Sequence, residues 1–214
     1  GRLFGILNGC DYSQAIATSF DSSDLWPLVD KCIDAWAHKS PSNSFYFALR
    51  KLMRWKRQRS THLPTVVSIG RLTEQKLGLL AESSGETSDK TVLDSLLSLL
   101  KKGRIIVLGS GDLHYEQFLT EKMASHENLL FLNGYSEELS LALYQFADLF
   151  LMPSTYEPCG ISQMLAMRAG TPCLVHETGG LKDTVQQFEN GFTFSGGTKM
   201  AKIENFIGAS SNKP

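Results

Sequence analysis

Residues 147–175 read ADLFLMPSTYEPCGISQMLAMRAGTPCLV and contain, in order, a strand, a loop, a helix and a second strand. The apolar run 147–152 is short and ends at a Pro-Ser pair, which is typical of a buried strand in a parallel sheet. Apolar residues then recur at helical spacing from Ile161 onward, so the pattern predicts a helix that begins near 158–160. The apolar run 172–175 predicts the next strand.

The same alternation extends upstream and defines the fold class. The predicted elements are, in chain order, strand 66–69, helix 92–101, strand 105–108, helix 113–124, strand 129–132 and helix 137–146. This rhythm is typical of an α/β fold with a doubly wound, Rossmann-like parallel sheet, in which ligands bind outside the carboxyl ends of the strands. We interpret residues 1–64 as a less regular lead-in to a single domain, and the polar stretch 81–91 as a surface loop.

Length and composition limit the possible functions. The 214 residues allow one full core, and 21 basic against 22 acidic side chains give a formal net charge of −1. Such a balance argues against non-specific binding to nucleic acid or membranes, so we expect affinity to come from a pocket. There is no membrane-spanning apolar run and no secretory signature, and a cytoplasmic setting is expected.

The four cysteines show no paired metal spacing and do not indicate a disulfide scaffold. Cys10, Cys32 and Cys173 are predicted to be reduced core residues. Cys159 differs because it would lie at the start of a helix beside the predicted ligand site, where a thiol can pack on the ligand.

The segment Glu-Pro-Cys-Gly places a carboxylate, Glu157, just before the predicted helix. A helix that begins there leaves the backbone N–H groups of Cys159, Gly160 and Ile161 free at the carboxyl ends of the strands. Gly160 has no Cβ, so an oxygen-rich ligand can approach the backbone closely. Glu157 can accept hydrogen bonds from sugar hydroxyls while the helix start receives a diphosphate. The tetrapeptide alone also fits a solvated carboxylate beside an ordinary turn.

Two longer strings make the interpretation specific. They are Glu157-Pro-Cys-Gly-Ile-Ser-Gln163 and Thr178-Gly-Gly-Leu-Lys-Asp-Thr-Val185. Their order and separation resemble the donor-site signature of the bacterial glycogen synthases and plant starch synthases, retaining glucosyltransferases of GT-B fold. The corresponding family patterns are close to Glu-Pro-Cys-Gly-Leu-Thr-Gln and Thr-Gly-Gly-Leu-x-Asp-Thr-Val. The resemblance assigns Thr178, Gly179 and Gly180 to donor binding.

The resemblance also implies an activity. The chain would be the C-terminal, donor-binding lobe of a GT-B enzyme without its N-terminal acceptor lobe; Gly5–Asp11 and Trp26-Pro27 resemble the start of that lobe. The implied reaction transfers glucose from ADP-glucose to the non-reducing end of glycogen or starch, with retention. ADP or ADP-glucose would be the ligand, and the α-glucan would bind through the missing lobe. We expect this chain alone to be inactive; a plant or algal source would place it in a plastid.

A third string, Ser68-Ile-Gly-Arg71-Leu-Thr-Glu-Gln-Lys76, resembles the family motif strand-Arg-Leu-Thr-x-Gln-Lys. In the family this Arg and Lys neutralise the donor diphosphate, so the resemblance gives those roles to Arg71 and Lys76. Two fixed cations can stabilise a departing diphosphate, and therefore neither a metal nor another cofactor is expected. The chain has Leu77 where the family usually has glycine. By spacing alone, both cations also fit the protein surface.

Two further turns receive donor-binding roles from the resemblance. Gly109, Gly111 and Asp112 form a strand-to-helix turn that would lie beside the nucleotide, and Tyr135 would lie beside the nucleobase. A short Gly-x-Gly is a weak dinucleotide signal and fits a tight packing turn equally well. A tyrosine at a strand end is also common at the rim of a core.

Alternatives remain within and outside this family. Leu165 stands where many retaining GT-B transferases have a second glutamate, which favours the glycogen and starch synthase branch because that branch also lacks it. The rivals are another retaining GT-B transferase with a small acceptor, and a nucleotide- or glucan-binding module without transferase activity. The basic run 50–59 is interpreted as a solvated helix face rather than a polyanion or glucan surface.

Overall fold

The computed structural model describes residues 9–11, 22–57, 63–85 and 89–195. A 3-10 turn at Ser22–Asp24 precedes the first helix. The helices are α1 (Leu25–Lys39), α2 (Asn43–Arg57), α3 (Glu74–Ala81), α4 (Val92–Leu99), α5 (Leu113–Ser125), α6 (Glu137–Phe146), α7 (Ser162–Arg168) and α8 (Gly179–Thr184). The strands are β1 (Thr65–Ile69), β2 (Arg104–Gly109), β3 (Leu129–Asn133), β4 (Leu149–Met152), β5 (Cys173–His176) and β6 (Gly191–Phe194).

All six strands pair in parallel in the order β3-β2-β1-β4-β5-β6. The order reverses between β1 and β4, which is the point where a doubly wound sheet opens a crevice at the carboxyl ends of its strands. Strands β1 and β4 are buried at every position, which explains why they read as continuous apolar runs. The predicted Rossmann-like parallel sheet is confirmed.

Most predicted elements are confirmed to within a few residues, but the start of α7 is corrected. This helix begins at Ser162 and not near 158–160. Gly160 has a φ of 72°, in the left-handed region, and such a residue cannot continue a right-handed helix. Residues 159–161 therefore form the end of a loop, and Ile161 is the N-cap.

Part of the lead-in is helical, and its basic run is only partly solvated. Arg50 and Arg54 on α2 are exposed, as predicted, but Lys51 is only 6% exposed. Its Nζ donates to the Met123 carbonyl at 2.8 Å and to the carbonyl of His126. Lys51 thus satisfies carbonyls at the end of α5 because α2 packs along α5, and its interpretation as a solvated residue was wrong.

An aromatic cluster joins the lead-in helices to the sheet. The guanidinium of Arg104, at the start of β2, lies 4.9 Å from the ring centroid of Trp26, 5.3 Å from that of Trp55 and 5.1 Å from that of Phe146. Its Nε donates to Thr65 Oγ1 at 2.9 Å. Burial lowers the pKa of Arg104 to about 10. These contacts pack α1, α2 and α6 against the amino ends of β1 and β2.

The four cysteines are free thiols. Cys32 and Cys173 are buried, as predicted, and burial raises the pKa of Cys173 to about 12. Cys10 is only half-buried, which contradicts the prediction of a core residue, because segment 9–11 belongs to no helix or strand. Residues 5–8 of the Gly5–Asp11 motif lie outside the described ranges.

The predicted surface loop 81–91 connects α3 to α4. Its two described sides are joined by bonds from the Ser84 amide to the Lys90 carbonyl at 2.8 Å and from the Val92 amide to the Glu82 carbonyl at 2.9 Å. Within the described ranges, none of the helices combines the length and the apolar character that crossing a bilayer would require.

Candidate functional site

Two loops face each other across the crevice between β1 and β4. The loop after β1 carries Arg71 and runs into α3, which carries Lys76; the loop after β4 carries Ser154 and Glu157 and runs into α7. A small pocket between the loops is lined by Arg71, Lys76 and Ser154, together with the last residues of both strands. The sheet therefore brings the phosphate-binding motif and the Glu-Pro-Cys-Gly motif to one place.

Lys76 and Glu157 form an ion pair between Nζ and Oε2. Glu157 is only 7% exposed, and the Ser154 hydroxyl lies 3.5 Å from the same Oε2. Burying two charges requires that each be compensated, and here the pair provides that compensation. Two of the three predicted catalytic residues are thus in direct contact.

Arg71, the third, lies at the mouth of the pocket. Its side chain is exposed, and its guanidinium makes no hydrogen bond or ion pair within the described part of the chain. An unpaired guanidinium keeps its full capacity for two parallel hydrogen bonds to a phosphate. The pocket therefore has one cation already paired and one available.

Gln75 fixes the two loops to each other. Its side-chain Nε2 donates to the Tyr156 carbonyl at 2.6 Å, and its own carbonyl accepts from the Thr155 amide at 2.9 Å. Both bonds flank the contact between Lys76 and Glu157. The motif contained Gln75, but its role was not predicted, because the contact depends on the pairing of β1 with β4.

The Thr-Gly-Gly string packs against the Glu157 loop. The Gly180 amide donates to the Glu157 carbonyl at 2.9 Å. A Cβ at Gly179, whose φ is 47°, would collide with that carbonyl, and a Cβ at Gly180 would collide with the Cys159 backbone. The two glycines therefore let two backbones touch, and this packing by itself explains why glycine stands at both positions. The donor-binding roles of Thr178 and of the two glycines stay predictions.

The Gly-x-Gly turn after β2 is explained in the same way. A Cβ at Gly109 would collide with the Gly70 carbonyl, and a Cβ at Gly111 would collide with the backbone of Leu72. The turn and the Arg71 loop are joined by the bond from the Leu72 amide to the Ser110 carbonyl, at 3.0 Å. The alternative of a tight packing turn accounts for both glycines.

Backbone amides of this turn are already used within the protein. The Gly111 amide donates to Glu116 Oε1 at 3.0 Å, and the Asp112 amide donates to the Leu72 carbonyl at 2.8 Å. Glu116 also accepts from Asn133 Nδ2 at 3.0 Å, so it ties the turn to the end of β3. A ligand at this turn would have to replace these bonds.

The amides of Cys159, Gly160 and Ile161 are different. None of the three has a hydrogen-bond acceptor in the ranges that the structure describes. The helix starts later than predicted, but the expectation that these N–H groups are unpaired holds. Three adjacent unpaired amides are suited to an anionic oxygen.

The chain matches the family described as Glycosyl transferases group 1 over residues 50–212. The chain belongs to this family. It is 46% identical over 141 residues to the glycogen synthase of Desulfitobacterium hafniense, covering 62% of this chain and 28% of that protein. It is 36% identical over 199 residues to the glycogen synthase of Caldicellulosiruptor bescii, covering 91% and 37%. The resemblance to glycogen and starch synthases is confirmed.

A solved structure shows the same architecture. The catalytic domain of starch synthase IV from Arabidopsis thaliana, bound to ADP and acarbose, aligns with a TM-score of 0.58 and 30% identity over 76% of this chain and 34% of that chain. The prediction of a GT-B half is confirmed. The chain spans roughly a third of the length of these relatives, with shares of 28%, 37% and 34%.

Tyr135 lies at the far rim of this glycosyltransferase domain. It follows β3, two strands from β1, so it is roughly 10 Å across the sheet from the Arg71 loop. Its side chain is 67% exposed. A Cβ on the adjacent Gly134 would collide with Trp36 of α1, so the lead-in helix supports this rim. The nucleobase contact of Tyr135 stays a prediction.

His176 is a site-adjacent residue that sequence reasoning missed. It ends β5, is buried, and its ring stacks on Phe194 with centroids 5.2 Å apart. Its Nδ1 lies 2.8 Å from the Ser154 carbonyl, and because a carbonyl can only accept, Nδ1 carries the proton. The sequence did contain one signal for His176, which is a polar residue at the end of an apolar strand.

Among the described residues, no group of three or more His, Cys, Asp or Glu side chains is placed to hold a metal ion. Arg71 and Lys76 line the pocket, and Glu157 pairs with Lys76. Two cations, one carboxylate and three unpaired amides suit a ligand that carries both phosphates and hydroxyls.

Proposed function

We propose that this chain is the donor-binding lobe of an α-1,4-glucan synthase, which transfers glucose from ADP-glucose to the non-reducing end of glycogen or starch with retention. The proposal rests on the partly buried Lys76–Glu157 pair at the strand-order reversal, where the family strings meet. The similarity to bacterial glycogen synthases and to an ADP-bound starch synthase domain supports the choice of substrate.

In this proposal Arg71 and Lys76 bind the diphosphate. Breaking the bond from glucose C1 to the diphosphate develops negative charge on the departing oxygens, and two fixed cations stabilise that charge. Arg71 has no hydrogen-bond or ion-pair partner among the described residues, whereas Lys76 pairs with Glu157. A diphosphate at Lys76 would share this cation and leave Glu157 able to accept hydrogen bonds from glucose hydroxyls.

The amides of Cys159, Gly160 and Ile161 complete the cradle. Each carries a partial positive charge and has no competing acceptor within the described residues. Because Arg71, Lys76 and these amides supply the positive field, the proposed reaction requires no metal.

Retention follows from a front-face substitution. The acceptor hydroxyl oxygen bonds to glucose C1 while the bond from C1 to the diphosphate breaks on the same face. The hydroxyl proton passes to the departing phosphate oxygen. The acceptor itself would be held by the second lobe, and we therefore propose that the chain binds the donor but does not synthesise glucan alone.

The test is calorimetric titration of the chain with ADP, UDP and ADP-glucose. We expect ADP to bind, and Arg71→Ala to weaken it about 10- to 100-fold, the range for a lost charge-assisted hydrogen bond. Arg50→Ala is the matched control, because Arg50 is an exposed arginine on α2, away from the crevice. If both variants lost the same ADP affinity, the effect would come from the change in net charge and not from a contact of Arg71.

Two further outcomes would contradict the proposal. Tighter binding of UDP than of ADP would overturn the assignment of the donor base. If neither this chain nor a two-lobe protein bound a nucleotide, the assignment of the donor site would be wrong. Addition of glucose to glycogen but not to a monosaccharide, measured in the two-lobe protein, would separate the proposal from a transferase with a small acceptor.

A further inference from the structure

The loop after β4 is held by its carbonyl oxygens. Donors from four different elements contact five carbonyls of this loop. The bonds are His176 Nδ1 to Ser154 at 2.8 Å, Gln75 Nε2 to Tyr156 at 2.6 Å, the Gly180 amide to Glu157 at 2.9 Å, and Gln163 Nε2 to Cys159 at 3.2 Å and to Gly160 at 2.9 Å. Gln163 is the one side chain in this set that holds two adjacent carbonyls.

Gln163 is an unusual residue for its surroundings. It lies in the first turn of α7 with no exposed surface. Its Nε2 also lies 3.1 Å from Thr184 Oγ1, so its two hydrogens are shared among three acceptors. Its Oε1 is buried and has no hydrogen-bond partner among the described residues. A buried amide oxygen without a partner destabilises a fold, so an apolar side chain of similar size would avoid that cost. The contacts of Nε2 are therefore the feature that requires glutamine here.

Those contacts determine the direction of two N–H groups. The described chain contains no cis peptide bond, and in a trans peptide the C=O of one residue and the N–H of the next point in opposite directions. Bonds from buried Gln163 to the Cys159 and Gly160 carbonyls therefore turn the N–H groups of Gly160 and Ile161 away from the interior. Ile161 is 49% exposed, so this outer side of the loop is open.

Gly160 fits this arrangement. Its φ of 72° favours glycine, and a Cβ there would collide with Gln163 Oε1. The glycine and the glutamine thus form one unit: the glycine gives the loop its turn, and the glutamine sets the direction of the amides.

We propose that Gln163 is a positioning residue of the nucleotide-sugar site. By holding two carbonyls from inside, it presents the N–H groups of Gly160 and Ile161 to the phosphate oxygens without touching the ligand itself. The inference rests on the proposed function, because it assigns these amides to the diphosphate.

The test compares Gln163→Met with a matched control in the whole 214-residue chain. Methionine keeps the length and burial of the side chain but removes the donor. The control is Asn128→Leu: Asn128 Nδ2 likewise holds two carbonyls, those of Leu97 at 2.9 Å and Leu100 at 3.1 Å, at the end of α4. Calorimetric titrations with ADP and with adenosine, plus urea unfolding, are measured for both.

We expect Gln163→Met to bind ADP at least about tenfold more weakly, one decade in Kd, while its affinity for adenosine stays at the wild-type value. Asn128→Leu should lose stability but keep both affinities. Gln163→Leu repeats the comparison with a different packing shape. The important result is a loss of affinity for ADP without a loss for adenosine. If Gln163 had only a structural role, its replacement would lower both affinities alike.

Unchanged ADP affinity in the folded Gln163 variants, or equal losses for ADP and adenosine, would overturn the role of Gln163 and leave the proposed function standing. Failure of the wild-type chain and of the two-lobe protein to bind ADP would overturn the proposed function, and this inference with it.

Discussion

Lys76 and Glu157 are 81 positions apart in the chain and form a partly buried ion pair at the carboxyl edge of the sheet. The pair exists because β1 lies beside β4, so that the loops following these strands meet. Each residue compensates the charge of the other. A ligand that binds both must therefore be compatible with this contact or replace it.

The first prediction concerns the stability of this pair. Lys76→Ala leaves the buried Glu157 carboxylate without its cation and should lower the free energy of unfolding by about 1–3 kcal/mol. Lys56→Ala removes a lysine from an exposed pair with Asp30 and should change it by less than about 1 kcal/mol. Urea unfolding measures both variants.

A double-mutant cycle checks the same pair further. Lys76→Ala combined with Glu157→Gln should cost less than the sum of the two single changes, because the second change removes the orphaned charge. Strict additivity would show that the two side chains do not interact in solution.

The second prediction concerns the Thr-Gly-Gly string. Gly179→Ala should destabilise the domain by at least about 2 kcal/mol, since alanine is strained at a φ of 47° and its Cβ would collide with the Glu157 carbonyl. Gly70→Ala is the steric control, because no atom lies within 4 Å of its added Cβ and its φ is not positive. Similar stabilities for the two alanine variants would refute the packing role.

The third prediction separates the two contacts of His176. His176→Phe keeps a ring against Phe194 but leaves the buried Ser154 carbonyl without its donor, and should cost about 1–3 kcal/mol. His176→Asn places an amide donor near the former Nδ1 and should recover part of that loss. Thermal unfolding measures the stability of both variants. If His176→Asn is less stable than His176→Phe, the stacking on Phe194 matters more than the hydrogen bond to Ser154.

The fourth prediction is a pH dependence that arises away from the site. Burial raises the pKa of Asp94, but hydrogen bonds from Lys122, Thr91 and His126 outweigh it and lower this pKa from 3.8 to about 2. Between these values the unfolded chain binds more protons than the folded chain. The stabilisation is therefore complete above about pH 4 and is lost as the pH falls towards 2, by about 2 kcal/mol.

Asp94→Asn tests this expectation. Urea unfolding at pH 5 and at about pH 2.5 should show a smaller acid loss for the variant than for the wild type. An identical acid loss in both proteins would assign the effect to other carboxylates.

Sequence periodicity predicted five of the six strands and the helices α4 to α7, but it did not predict β6 or the helices α1, α3 and α8. The apolar runs that became β1 to β4, and the helix at 137–146, could be predicted because fully buried parallel strands and amphipathic helices leave direct patterns in the residue order. The family strings likewise identified Arg71, Lys76 and Glu157 as residues of one site.

Strand order and backbone conformation were decided only by the tertiary structure. The start of α7 depends on the left-handed φ of Gly160, and the burial of Lys51 depends on α2 packing along α5. The roles of Gln75, Gln163 and His176 depend on which carbonyls the sheet brings within reach. Periodicity reports which face of an element is buried, but not which distant carbonyl or carboxylate will lie there, because that is determined by the order in which the strands pair.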